Sequence, residues 1–339
     1  MTPTPHKVPG TRFTRFDDHP AAERNLYGEI KIFCGSGSQE LGHEICHYLD
    51  LEPGRYERTQ FSNENIFIRL EESVRGQDVY LIQSLTSPVS DNIMELLIML
   101  DTLKRDSAAR ITAVIPYLSY ARSDKKDQPR VPITARLIAD MIQVAGADRY
   151  ITIDLHSGQI QGFFSIPGDV LTAYFLLSDY IADLRIENLV VVTTDLGFAK
   201  RGRDYANRLN CPLAFIEKRR TDNAEQPKTL ALIGEVRDKN VLLVDDEVLT
   251  GKSVENAIQL LQKNGARSFY VAFTHGILSG GGIERLARLP IKEIITTNTL
   301  PIPPEKRLPN MTVLSVAPLL SEVIIRAHEG RSVGALFDE

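Results

Sequence analysis

The chain is 339 residues long, with 43% hydrophobic residues, 24% charged residues and a formal net charge of -5, a composition ordinary for a globular protein with room for two domains. The acidic balance leaves no basic footprint for nucleic acid, and the most apolar run, Ile93 to Leu100 with Glu95 inside it, is far too short to span a bilayer. Cys34, Cys46 and Cys211 are odd in number and widely spaced, and no charged-then-apolar leader opens the chain, so the expected location is the cytoplasm, with no membrane partner.

Residues 1 to about 27 carry Pro and charged residues without periodicity and read as a loosely ordered extension. Ile30-Lys31-Ile32-Phe33 then predicts a strand, followed by a Gly-Ser turn and a helix to about Leu49. Within that helix His43-Glu44-Ile45-Cys46-His47 matches the H-E-x-x-H zinc pattern, with both imidazoles on one face. A catalytic zinc needs a third protein ligand. None of His6, His19, His156, His275 and His328 stands in a following helix at suitable spacing, so the motif is set aside.

Asp78 to Gln83 predicts the next strand, then a Ser/Thr/Pro loop, a helix from about Asn92 to Lys104, and a strand over Ile111 to Pro116. Tyr120 to Asp127 is a charged segment directly after that strand, and composition alone makes it an exposed loop. A helix over Pro132 to Ala145 and strands over Tyr150 to Asp154 and Leu189 to Thr193 follow. The alternation implies an α/β protein with largely parallel sheets. Ile151-Thr152-Ile153-Asp154-Leu155-His156 ends its strand with Asp and His on the same side. A lone buried His is more often structural, but ligands of open α/β sheets bind at strand ends, which brings His156 within reach of a metal or a nucleotide phosphate. Val190 to Thr194 followed by Asp195-Leu196-Gly197 repeats the device. Ile216-Glu217-Lys218-Arg219-Arg220 then enters a polar stretch to about Lys228 without periodicity. Such a cluster is usually a solvated surface; on a mobile loop it can close over polyphosphate and stabilise charge.

The most informative stretch comes next. Val241-Leu242-Leu243-Val244 predicts a buried strand of a parallel sheet, ending on Asp245-Asp246, and Thr250-Gly251-Lys252-Ser253 leads into a helical pattern from Val254 to Lys263. A turn feeding a helix N-terminus offers backbone N–H groups and a positive dipole end to a phosphate. Two carboxylates beside such a cradle call for a polyol or a metal, and a sugar phosphate supplies the polyol. A nucleotide P-loop is excluded, because its first Gly would fall at position 246, which is Asp. The unit Asp78 to Ser119 also repeats in Asn240 to Ser279, with Ala109-Arg110 matched by Ala266-Arg267. Two copies of one α/β fold follow from that offset, and only the second keeps the acid pair and the Thr-Gly-Lys-Ser turn.

Glu72-Ser73-Val74-Arg75-Gly76, Asp91-Asn92-Ile93-Met94-Glu95-Leu96-Leu97, Thr152 to His156 and Gln159-Ile160-Gln161-Gly162-Phe163-Phe164 resemble the ribose-phosphate diphosphokinases, that is the phosphoribosyl-pyrophosphate synthetases, and the resemblance runs from about Ile30 to Phe337. It implies two phosphoribosyltransferase-like domains, each a largely parallel sheet flanked by helices. Residues 28–168 would form the ATP side and residues 169–339 the ribose 5-phosphate side, with the last ~20 residues packing on the first domain. The implied reaction moves the diphosphoryl group of ATP to the 1-hydroxyl of ribose 5-phosphate, giving 5-phosphoribosyl 1-pyrophosphate and AMP, with Mg²⁺ as cofactor and a homo-oligomer, a hexamer, as the assembly.

By the same resemblance, Lys218 and Arg220 are the catalytic pair, and His156 and Asp195 contact metal. Phe61, Asn63, Asn65, Arg122, Ser123 and His156 serve ATP. Asp195, Arg220, Asp245, Asp246, Thr250, Gly251, Lys252 and Ser253 serve ribose 5-phosphate, and Ser73, Arg130 and Ser332 match a phosphate/ADP regulatory site. The chain departs from the family pattern at Asn65, Ser123, Phe198, Leu249 and Lys252. Those departures leave two alternatives: a related diphosphokinase with another acceptor or donor, or a non-catalytic synthetase-associated subunit.

Overall fold

The computed structural model describes residues 27–194, 196–219 and 229–337. The expected N-terminal extension, Asp195, and Arg220 with the segment to Lys228 lie outside the described residues. The chain divides into two compact units.

The first unit takes residues to Thr172, then Thr299–Pro301 and the segment from Ser315 onward. Its elements are β1 (Ile30–Cys34), α1 (Gln39–Leu49), β2 (Tyr56–Gln60), β3 (Ile66–Leu70), β4 (Asp78–Ile82), α2 (Val89–Arg105), β5 (Arg110–Ile115), α3 (Thr134–Ala145), β6 (Arg149–Ile153), β7 (Gly168–Leu171) and, from the far end of the chain, α8 (Ala317–Glu329). The sheet is parallel throughout, in the order β1-β4-β5-β6-β7. Every residue of β4 and β5 is buried, as strands covered on both faces require. Helix α2 buries Ile93, Leu96, Met99, Leu100 and Leu103, a stripe at helical spacing that packs with Phe33, Leu81 and Ile115 in one core.

The second unit takes residues 173–298 and 302–314. It contains α4 (Tyr174–Asp183), β8 (Leu189–Thr193), α5 (Ala199–Arg208), β9 (Leu213–Arg219), β10 (Thr229–Ile233), β11 (Asn240–Val248), α6 (Lys252–Lys263), β12 (Ser268–Gly276), α7 (Gly282–Ala287), β13 (Ile291–Thr297) and β14 (Met311–Leu314). The seven-stranded sheet runs β10-β9-β8-β11-β12-β13-β14, with β10 antiparallel to β9 and the other pairs parallel.

Strands β8-β11-β12-β13-β14 reproduce the order β1-β4-β5-β6-β7, which is the internal repeat in three dimensions. A hairpin follows the first helix of each copy. In the second unit, β9 and β10 extend the sheet beyond β8; in the first, β2 and β3 form a separate two-stranded sheet.

Three expectations are corrected. Strand β11 does not end on the aspartates. Its pairing with β8 stops at Val244↔Thr193, but its pairing with β12 continues through Glu247↔His275 and Val248↔Gly276, so Asp245 and Asp246 sit where the strand has lost one neighbour. Lys218 and Arg219 are strand residues, paired with Leu230 and Thr229, and not part of a loop. Asp154 lies beyond the end of β6 with φ +40°, so strand alternation does not relate it to His156. Among the described residues no helix is long and apolar enough to cross a membrane.

Candidate active site

In the second unit the end of β8 and the stretch of β11 beyond its pairing with β8 bring together Thr194, Asp245 and Asp246. The Thr194 hydroxyl donates to Asp245 Oδ2 at 2.6 Å. The other oxygen of Asp245 accepts the Asp246 amide at 3.0 Å, and Asp246 Oδ1 accepts the Glu247 amide at 2.9 Å. Both carboxylates are half-buried and held in fixed rotamers by these short-range bonds. Thr194 was not among the expected site residues; its place in Thr193-Thr194-Asp195 at a strand end was the available signal.

The turn after β11 carries the expected phosphate cradle. Gly251 caps α6 with φ +68° and ψ 2°, a left-handed conformation that glycine adopts without a steric cost. The nearest atom to a Cβ there would be Leu286 Cδ2 at 3.4 Å, so conformation rather than space calls for glycine. No side chain caps the helix, and Thr250, Lys252 and Ser253 are exposed, so the first turn of α6 presents its amides outward. From behind, the Leu249 carbonyl accepts the Ser279 amide at 2.9 Å, and an Arg285 N–H donates to the Thr250 carbonyl. Lys252 Nζ lies 2.8 Å from Glu255 Oε2, with Arg285 Nε 3.5 Å from the same oxygen. The Lys252 bond and these charges hold the Glu255 carboxyl below the ordinary range. Arg285 is a further residue that sequence reasoning missed, since its partners Thr250 and Glu255 lie far from it in sequence.

In the first unit, His156 is exposed just beyond β6. The positive φ of Asp154 beside it is uncommon for a non-glycine residue and collects at functional sites. Arg122 is exposed on the Tyr120–Asp127 segment, and that segment is anchored by the Gln159 amide donating to buried Asp124 at 2.7 Å. The Ser123 hydroxyl accepts the Thr134 amide at 3.2 Å, which ties it to the start of α3. At the tip of the β2–β3 hairpin the Phe61 amide donates to the Asn65 carbonyl at 2.9 Å, and the Asn65 amide to Asn63 Oδ1 at 3.2 Å. Phe61 is exposed, its ring 6.0 Å from that of Phe67.

Ser73, Arg130 and Ser332 are all exposed residues of the first unit, and among the described residues no hydrogen bond joins any two of them; the Ser332 carbonyl accepts from Arg326 at 2.9 Å. His43 Nδ1 lies 2.6 Å from the Gln39 carbonyl, Ser315 donates to Glu44, and among the described residues no group of three His, Cys, Asp or Glu is arranged to hold a metal. The side chains of Lys218 and Arg219, and Asp195 and Arg220 entirely, lie outside the described residues.

Residues 30–146 match the family model for the N-terminal domain of ribose phosphate pyrophosphokinase, and residues 221–338 that for the phosphoribosyl synthetase-associated domain. The ribose-phosphate pyrophosphokinase of Rhodopirellula baltica is 46% identical over 313 residues, covering 92% of this chain and 99% of that protein. The chain belongs to the ribose-phosphate pyrophosphokinase family. Its counterpart in Caldanaerobacter subterraneus subsp. tengcongensis is 47% identical over 309 residues, covering 91% and 98%. The crystal structure of phosphoribosylpyrophosphate synthetase from Mycobacterium smegmatis superposes with a TM-score of 0.84 at 42% identity, covering 89% of this chain and all of that one. The chain is therefore an enzyme, a transferase by family, and its α/β fold of helix-flanked parallel sheets is the family's own.

Proposed function

We propose that the enzyme transfers the diphosphoryl group of ATP to the 1-hydroxyl of ribose 5-phosphate, producing 5-phosphoribosyl 1-pyrophosphate and AMP. The observation that carries the reading is the Thr194-braced Asp245–Asp246 pair preceding the uncapped first turn of α6. Carboxylates accept from sugar hydroxyls, and outward amides with Thr250, Ser253 and Lys252 donate to the 5-phosphate. The first unit, broadly residues 28–168, would take ATP through Phe61, Asn63, Asn65, Arg122, Ser123 and His156, and residues 169–339 the sugar phosphate.

In this reading the 1-hydroxyl oxygen attacks the β-phosphorus, the bond to the α,β-bridging oxygen breaks, and AMP leaves with that electron pair while the hydroxyl proton is released. Alignment and charge limit such a step, not a covalent nucleophile. Lys218 and Arg220 neutralise the charge that builds on the diphosphoryl group. His156 and Asp195 are the residues that would hold Mg²⁺. The fit is reasonable, since this ion uses few protein ligands together with substrate phosphates and needs no three-residue cage. When bound, it supplies charge neutralisation on the polyphosphate.

A homo-oligomer, cytoplasmic residence, supported by three free thiols, and a regulatory site at Ser73, Arg130 and Ser332 complete the proposal. Incubation with ATP, Mg²⁺ and ribose 5-phosphate should release AMP only when the sugar is present. AMP release with a different sugar phosphate alone would reassign the acceptor, and no release with any acceptor would defeat the reading.

A further inference from the structure

The antiparallel pairing of β2 and β3 sets Arg58 directly opposite Ile68, and opposed residues of such a pair project to the same face. Ile68 is buried in the first unit's core, so Arg58 is carried to the core side of the hairpin. A guanidinium brought there needs a counter-charge. Glu95, in the middle of α2 and 0% exposed, supplies it. Its Oε2 accepts from Arg58 Nε at 2.7 Å, and its Oε1 accepts the Ser36 amide, also at 2.7 Å. One buried carboxylate thus ties the turn after β1, helix α2 and strand β2 at a single point. On the outer face of the same hairpin, Glu57 and Arg69 are also opposed and form an ion pair, but Arg69 is exposed and Glu57 only half-buried.

The hairpin shares no strand pairing with the five-stranded sheet. Its seat depends on apolar packing of its inner face, the Tyr56 hydroxyl donating to the Cys34 carbonyl at 2.8 Å, and the Arg58–Glu95 pair. Arg58 is the last polar anchor before the tip that carries Phe61, Asn63 and Asn65; beyond it, among the described residues, only Ile66, opposite Gln60, packs against the core.

We infer that the Arg58–Glu95 ion pair is a positioning clamp that fixes the tip of the β2–β3 hairpin and, through it, the affinity for nucleotide. The inference rests on the assignment of the tip residues to ATP. Arg58 and Glu95 are positioning residues: they act through the hairpin and touch no reacting group.

The chain has no tryptophan, so Phe67→Trp places a single fluorescent reporter on the hairpin, beside Phe61. In that background Arg58→Ala should raise the KM for ATP about tenfold or more, with kcat and the KM for ribose 5-phosphate within about twofold, because displacement of a binding group weakens binding without altering the chemical step. Reporter anisotropy should fall, Arg58→Lys should restore part of both effects, and Arg69→Ala should change neither. Glu95→Gln should act like Arg58→Ala if it folds. Unchanged anisotropy, or an unchanged KM for ATP in Arg58→Ala, overturns the clamp. Were the wild-type enzyme to form no phosphoribosyl pyrophosphate, the proposed function would fail by itself, while the anisotropy and the reporter's titration with ATP would still decide on the clamp.

Discussion

The Thr194 hydroxyl fixes one oxygen of Asp245 across two neighbouring strands, a bond between residues 51 apart in sequence. Replacing Thr194 by Val keeps the shape and removes the donor. Losing one such bond to a charged group costs about 1.5–3 kcal/mol of folded-state stability, so Thr194→Val should lower the thermal midpoint and, with Asp245 no longer held in place, raise the KM for ribose 5-phosphate roughly tenfold; thermal unfolding and steady-state kinetics on the sugar measure this. Lys218→Ala belongs to the other class of effect. Removal of a contact made mainly in the transition state costs about 10²–10³ in kcat, so turnover should collapse while both KM values stay within a few-fold. Turnover equal to wild type would take Lys218 out of the chemistry. The residues legible from sequence were those adjacent in the chain: Asp245-Asp246 and Thr250 to Ser253 read as a site because a strand, a turn and a helix start stand in one continuous segment. Thr194, Arg285 and Glu95 were not legible in these roles, because each acts on an element far away in sequence.

Strands buried on both faces announced themselves. The apolar runs of β1, β4, β5, β6, β8 and β11 were all read within a few residues of their bounds, save for the C-terminal continuation of β11. The β2–β3 hairpin was not, since Tyr56-Glu57-Arg58-Thr59-Gln60 carries one apolar residue; its inner face is completed by an ion pair, which hydropathy counts as solvent. Helix α8 escaped for another reason. It is nearly buried all round, including Glu322 and His328, so it shows little amphipathic contrast. Its packing on α1 predicts a measurable cost: Leu320 is fully buried, and Leu320→Ala should lower unfolding free energy by about 2–5 kcal/mol, read from the denaturant midpoint. A loss under 1 kcal/mol would mean that the helix contributes little to its unit.

Over the whole molecule, the first unit is bound to the end of the chain through Asp78. This carboxylate is fully buried, accepts from Arg110 at 2.7 and 2.5 Å, from the Tyr80 hydroxyl at 3.0 Å, and meets His328 Nδ1 of α8 at 2.8 Å; Arg110 also donates to the Ala327 carbonyl at 3.0 Å. Burial pushes the Asp78 carboxyl up, but the bonds from His328 and Arg110 and the Arg110 charge outweigh it and hold it below the ordinary range. A depressed carboxylate stabilises the fold fully above its unfolded value, about 4, and loses that contribution as pH falls through the lower folded value. The thermal midpoint should therefore fall as pH is lowered below about 4, and less steeply in Asp78→Asn. That variant should also lose about 3–5 kcal/mol at neutral pH, because Arg110 is left buried without its partner; equal pH slopes in the two proteins would remove Asp78 as the source. Helix α8 enters the first unit only after the chain has traversed the whole second unit. On the ribosome, then, the first unit's sheet emerges first yet must wait, with Asp78 and Arg110 lacking their final partners, until the whole second unit and then α8 have been translated.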